Sequence, residues 1–268
     1  MDAQEFLKPG IVPNVAWDWV PLYMHPRGTR RPGELLPVEA LRSQRCRFIY
    51  TLDEGVTDQL VAVTGKEVRH FPDLAEADQD LESPLVAAAR LRSKERPIIA
   101  ALGAITLHKN LGLLLKVANL RSDWFFVVAG TLHLNRLSHS ELEMLRGAGS
   151  SQNILFHPAA ISDGTLNAMS AHSDILYGCY LDFPHSSNKL TKACLFRVPV
   201  LASDRDYMGE VVREYGIGAV CDPTDPSALE QAIATLLATG PPKPRWDAYL
   251  ERNSVDSLQG SVTWLFKK

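Results

Sequence analysis

From Pro97 to Gly240 the chain repeats one pattern: a short apolar run, a turn, then a stretch of helical character. The runs are PIIAAL (97–102), WFFVVAG (124–130), NILFHP (153–158), DILYGCY (174–180), VPVLAS (198–203) and IGAVCDP (217–223). Each is too short for a core helix and nearly free of charge, as expected of a strand buried on both faces. Between them lie KNLGLLLKVANL (109–120), a polar stretch through SHSELEMLRGAG, then SDGTLNAMSAHS, SSNKLTKACLF, DYMGEVVREYG and DPSALEQAIATLLATG. Their punctuation is helical. Asp225 caps a helix with Pro226 at its first position and Gly240 beyond its end, Ser162 or Asp163 caps another, and Gly216 stops a third. Strands and helices alternating at these lengths make right-handed βαβ units. The expected fold is α/β: a Rossmann-like, doubly wound parallel sheet of about six strands.

The flanks differ. Residues 1–45 are rich in Pro, Trp and Arg and show little periodicity. CRFIYTL (46–52) and EVRHFPD (67–73) look like strands around a helix at 53–65, and 74–96 reads as a charged linker with a helical piece. After PPKP (241–244) the tail makes one or two amphipathic helices. The expected organisation is a reduced α/β part and linker over 1–95, a ligand-binding domain over 96–240, and tail helices over 241–268 that pack back on the first part.

Composition removes several function classes. The net charge is −3, so no global basic field favours nucleic acid or an anionic membrane. No apolar run reaches the length of a membrane span, and MDAQEFLKPG lacks the apolar core of a signal peptide. The histidines lack metal spacing, so no metal site is expected, and Cys46, Cys179, Cys194 and Cys221 are scattered, which suits reduced buried thiols in the cytoplasm. The Walker-type phosphate loop, the G-x-G-x-x-G dinucleotide pattern and the G-x-S-x-G nucleophile elbow are all absent.

What remains is anion chemistry at one edge of the sheet. Open parallel sheets bind ligands beyond the carboxyl ends of their strands. Three loops fall there: LGAITLHKN with Gly103 at the turn and Lys109 opening the helix, AGTLH with Gly130, and FPHSSNKL. In the last, Ser186 or Ser187 would cap a helix whose first turn holds Lys189 and Lys192. Cations there oppose the helix dipole, a conflict that a bound phosphate would relieve. Lys109 and Lys189 could hold a diphosphate between them. The alternative is plain capping by Ser187 with solvated lysines. His108, His157 and His185 are equally readable as loop or rim residues or as proton carriers.

Residues 96–239 resemble the C-terminal, donor-binding domain of GT-B glycosyltransferases of the group 1 or family-4 kind. IIAALGAITLHKN looks like the first strand and phosphate loop, WFFVVAG like the second strand, and SSNKLTKACLFRVPVLASD like the helix and strand that hold phosphate and ribose. The resemblance implies transfer of a sugar from a nucleotide diphosphate donor, with no cofactor and no bound metal, the departing diphosphate being held by positive side chains and a helix N-terminus. It matches Lys109 to the phosphate-loop lysine, Ser187 and Asn188 to the phosphate-contacting turn, and Gly103 and Gly130 to the loop glycines. With Lys189 and Lys192 these are the expected substrate-binding residues; no catalytic base is identified. The chain departs from the family in three ways. Ala104 stands where an arginine is usual, and Pro184 and Lys192 stand where two glutamates are usual. The first ninety-five residues are also too few for a full acceptor domain with its own sheet. A noncatalytic nucleotide- or partner-binding module and a nucleotide-sugar isomerase are the rival expectations. A partner chain supplying a missing lobe, and the acceptor, stay open.

Overall fold

The computed structural model describes residues 16–24, 38–134, 137 and 139–263. Contacts divide the chain into two compact units. The larger comprises residues 75–183 and 188–250; the smaller comprises 1–74, 184–187 and 251–268.

The larger unit carries one six-stranded parallel sheet. To number the strands across the whole chain, β1 (Ile49–Thr51) and β2 (Val68–His70) belong to the smaller unit, and the sheet consists of β3 (Ile98–Leu102), β4 (Phe125–Ala129), β5 (Ile154–His157), β6 (Ile175–Gly178), β7 (Val200–Ser203) and β8 (Gly218–Cys221). Their order is β5-β4-β3-β6-β7-β8. All six expected strands are present. β3, β4, β6 and β7 are buried along their whole length. Alternate residues feed two separate cores: Ile98, Ala100 and Leu102 with Phe125 and Val127 on one face, Ile99 and Ala101 with Phe126 and Val128 on the other. This is why the strands read as unbroken apolar runs.

The helices complete the two layers. In chain order they are α1 (Thr57–Thr64), in the smaller unit, then α2 (Pro84–Ser93), α3 (Leu111–Leu120), α4 (His139–Ala148), α5 (Asp163–Ala171), α6 (Lys189–Phe196), α7 (Tyr207–Tyr215), α8 (Pro226–Thr239), α9 (Trp246–Arg252) and α10 (Val255–Val262). Several caps are those the sequence announces. Ser162 accepts from the Thr165 N–H, Asp225 accepts from the Ser227 N–H, and Gly216 ends α7 in the left-handed region. The expected boundary at 96 falls instead at 75. α2 buries Leu85, Val86 and Ala89 in the core of the larger unit, and Glu76 and Asp78 carbonyls accept from the Asn167 amide of α5. The boundary at 241 also moves, since Trp246 and Tyr249 of α9 lie in that same core.

The smaller unit carries a short two-stranded sheet, from the two strands and intervening helix expected between residues 46 and 73. β1 and β2 pair in parallel, Ile49 opposite Val68 and Thr51 opposite His70, with α1 between them in sequence. Residues 19–23 run parallel on the other side of β1: the Trp19 N–H donates to Arg45 O at 2.9 Å, and the Tyr50 N–H to Pro21 O at 2.9 Å. Around this ladder Tyr23, Leu41, Cys46, Ile49, Val56 and Leu60 form a small core. Polar bonds fix the tail: Tyr50 Oη donates to Ser261 O at 2.7 Å, and the Asp73 N–H to Asn253 Oδ1 at 2.8 Å. Glu54 bridges His70 Nδ1, at 2.9 Å, and the Arg252 guanidinium. No helix among the described residues is long and apolar enough to cross a membrane.

Candidate functional site

The sheet order reverses between β3 and β6, so the loops leaving their carboxyl ends diverge to opposite faces and leave a crevice. Its floor is set by two glycines. Gly103 follows β3 with φ +99, and Gly130 follows β4 with φ +146. A Cβ at Gly130 would lie 1.9 Å from Gly103 O, so only glycine lets the two backbones meet. The Gly103 N–H donates to Ala129 O at 3.0 Å and the Ile105 N–H to Thr131 O at 2.8 Å, which extends the sheet pairing past the strand ends.

Lys109 does not open α3. It ends a 3-10 turn, Leu107–Lys109, and Asn110 in the left-handed region (φ 51) separates that turn from the helix. This break re-aims the lysine. Asn110 Nδ2 donates to Pro223 O at 2.7 Å and reaches Cys179 O at 3.3 Å, while Tyr177 Oη lies 2.9 Å from Asn110 O. The Leu181 N–H donates to His108 O at 3.0 Å. The β3 loop is thereby bolted across the switch point to the loops after β6 and β8.

The bolted loop delivers the Lys109 ammonium to the Tyr180 hydroxyl at 2.6 Å, with the nitrogen 4.0 Å from the ring centroid. Lys189, the first residue of α6, is only 8% exposed and also hydrogen-bonds Tyr180. Burial pulls the Lys189 pKa below the ordinary lysine value. The Tyr180 oxygen opposes that shift, and the charges on Lys109 and Lys192 add to it. Lys192 lies one turn further along α6 and donates to Asn167 Oδ1 at 2.5 Å. Asn167 spends its Nδ2 on the Glu76 and Asp78 carbonyls, which orients its oxygen toward the lysine.

The structure thus brings together Gly103 with Gly130, and Lys109 with Lys189 on one oxygen, Lys192 adding its field. The expected cap at Ser186 or Ser187 is corrected: the N-cap of α6 is Asn188, with no side-chain capping bond, and Ser187 groups with the smaller unit. Asn188 has helical φ and ψ, and its carbonyl accepts from the Lys192 N–H at 3.0 Å. Sequence reading missed Tyr180, Asn110 and Asn167. Tyr180 was hidden inside an apolar run, although Gly178 two residues earlier is a signal that the strand stops there. Cys179 and Cys221, scattered in sequence, meet with their sulfurs 3.4 Å apart, because both leave strand ends flanking β7. All four cysteines are free and buried.

A sequence profile described as Glycosyl transferases group 1 matches residues 86–252. The chain belongs to that family. No curated protein matches the chain by sequence. Among solved structures it is similar to sucrose-phosphate synthase (tll1590) from Thermosynechococcus elongatus, with a TM-score of 0.66 at 15% identity over 85% of this chain and 59% of that one. It is similar to Anabaena Alr3699/HepE, solved in complex with UDP-glucose, with a TM-score of 0.67 at 13% identity over 86% and 66%. A glycosyltransferase from Rickettsia africae ESF-5 gives 0.61 at 15% identity over 85% and 65%. These likenesses establish the GT-B fold. The chain spans between 59% and 66% of the length of these structures.

Proposed function

We propose that the crevice at the β3–β6 switch point binds a nucleoside diphosphate sugar and that the protein transfers the sugar to an acceptor without a bound metal or cofactor. One observation carries this reading: two lysines from different βα loops, one of them buried, converge on a single oxygen at the carboxyl edge of the sheet. A buried ammonium gains most from a fully charged anionic partner. In this reading Lys109 and Lys189 hold the diphosphate, Lys192 supplies additional field, and Gly103 and Gly130 let backbone approach the phosphates. Asn188 and Ser187 form the turn at the start of α6, and in this reading the helix N-terminus faces the charge that builds on the leaving diphosphate. Preorganised ammonium groups then do the electrostatic work that a metal would otherwise do.

UDP and UDP-glucose are the first ligands to try, because Alr3699/HepE was solved with UDP-glucose. A ligand at a hundred times its dissociation constant should stabilise the fold by about 2.7 kcal/mol. Lys109→Ala and Lys189→Met should each weaken binding at least about tenfold, the scale of losing one charge-assisted bond. No thermal shift with either ligand would remove the reading. Release of UDP from UDP-glucose in the presence of candidate acceptors supports the transferase, and light scattering in the same assay reports whether a second chain completes the acceptor side. A second reading has its own observation: Pro184 and Lys192 occupy the places where the family resemblance implies glutamates. Under it the protein is a noncatalytic binding module, and UDP-glucose binds without release of UDP in any acceptor mixture.

A further inference from the structure

One corner of the crevice, beside Lys109 and Tyr180, holds almost no free space. The space lined by Gly103, Ala104, Lys109, Tyr177 and Tyr180 amounts to about 10 Å³, room for roughly one water. Ordinary ligand pockets measure about 300–1,000 Å³. What fills the place is Tyr180. It is 2% exposed, its ring stands edge-on to Phe183 with centroids 5.3 Å apart, and its hydroxyl takes hydrogen bonds from both Lys109 and Lys189. Two ammonium groups from separate loops would aim at one phosphate oxygen in the same manner.

We propose that Tyr180 is a placeholder for the anion: its phenol oxygen occupies the position of a diphosphate oxygen, and the ligand binds by displacing it. The proposal rests on the reading of the crevice as a diphosphate site. Its physical basis is that of exchange. Without the ligand the phenol gives the two ammonium groups a neutral acceptor. An ionised phosphate oxygen is the stronger acceptor, so it takes over both bonds when it arrives. The turn that carries Tyr180 is compact, with the Tyr180 N–H donating to Gly178 O at 2.8 Å and Asp182 at φ 49, and it ends at Phe183, whose ring the Tyr180 ring meets edge-on. The placeholder lowers affinity for the anion, since two hydrogen bonds must break before two can form.

This has a consequence opposite in sign to that of a direct ligand contact. Tyr180→Phe keeps the ring on Phe183 and deletes only the competing oxygen. Calorimetric titration with inorganic pyrophosphate and with UDP should show tighter binding to Tyr180→Phe than to the wild-type chain, by about threefold to tenfold. The gain should shrink to less than about twofold in a Lys109→Met background, because one of the two competing bonds is already gone. Equal or weaker binding by Tyr180→Phe, with wild-type binding intact, overturns the placeholder. If neither protein binds pyrophosphate or UDP, the diphosphate reading itself falls and the placeholder with it, a pattern distinct from the first. Should Tyr180→Phe fail to fold, the wild-type chain decides alone: saturating pyrophosphate should change tyrosine ultraviolet absorbance as the phenol loses two ammonium donors, and an unchanged spectrum overturns the proposal.

Discussion

The two units reach a folded state by different means. The larger one buries whole strands on both faces, so its sheet follows from apolar runs and needs few side-chain bonds. The smaller one has three-residue strands and a core of six buried side chains, and it adds a set of polar bonds from Tyr50, Glu54, His70 and Asn253. A large core tolerates a polar site at its edge, whereas a small one depends on polar bonds for its shape. Glycines offer the most direct way to break this comparison. Gly130→Ala puts a Cβ 1.9 Å from Gly103 O at φ +146 and should cost at least about 3 kcal/mol, with loss of any ligand binding. Gly65→Ala, at φ +67 after α1 with nothing within 4 Å of the added carbon, should cost only about 1–2 kcal/mol. Denaturant melts of the two variants check the pair, and equal costs would dissolve the contrast.

How much of this could be read from residues alone divides along the same line. The six strands and the caps at Ser162, Asp225 and Gly216 were legible because apolar runs, oxygen side chains and glycine act locally. The segment at 19–23 was not, because Pro21 and Trp19 carry no alternation and the pairing is with a strand some thirty residues away. Within the site, Gly103 and Gly130 were legible from their place at strand ends. The position of Lys109 was misjudged because the left-handed Asn110, which ends the 3-10 turn, carries no mark distinguishing it from a helical asparagine. Tyr180 was invisible because an apolar run does not show where pairing stops. The role of Asn167 depends on carbonyls at Glu76 and Asp78, far away in sequence.

Titration sharpens the comparison, because each unit has an ionisable group shifted downward for a different reason. In the smaller unit, burial pulls the Glu54 carboxyl upward, but bonds from His70 and Arg252 prevail and hold it below the ordinary value. The stability it contributes is complete above the unfolded glutamate pKa, near 4.3, and is lost as pH falls through its lower folded value. In the larger unit, burial lowers Lys189. As pH rises through its folded pKa toward the unfolded value near 10.4, the unfolded chain keeps a proton that the folded one has released, so stability gains. Glu54→Gln should therefore flatten the acid limb of a stability–pH curve and leave the alkaline limb alone, and Lys189→Met should do the reverse. If Lys189 meets an anion, its charged form is favoured, so pyrophosphate binding at alkaline pH should take up a proton. Calorimetry in buffers of different ionisation enthalpy measures that uptake, and its absence in wild-type protein that binds pyrophosphate would contradict the placing of Lys189 at the ligand.

The smallest effect compares two helices with the same kind of cap. Asp225 accepts from the Ser227 N–H at the start of α8, and Ser254 accepts from the Ser257 N–H at the start of α10. Removing either oxygen strands one backbone donor and should cost about 1 kcal/mol locally. The consequences differ because the packing differs. α8 buries Leu229, Ile233 and Leu236 in the core, so it opens only when the larger unit does, and Asp225→Ala should lower the melting temperature by about 2–4 °C. α10 buries none of its own residues and is tied through the Ser261 carbonyl to Tyr50. Ser254→Ala should leave the main transition within about 1 °C and instead speed amide hydrogen exchange along α10 about fivefold, the factor set by 1 kcal/mol of local opening. A shift of the main transition equal to that of Asp225→Ala would mean that α10 unfolds with the cooperative core, and the smaller unit would then owe less to its polar bonds than its thin core implies.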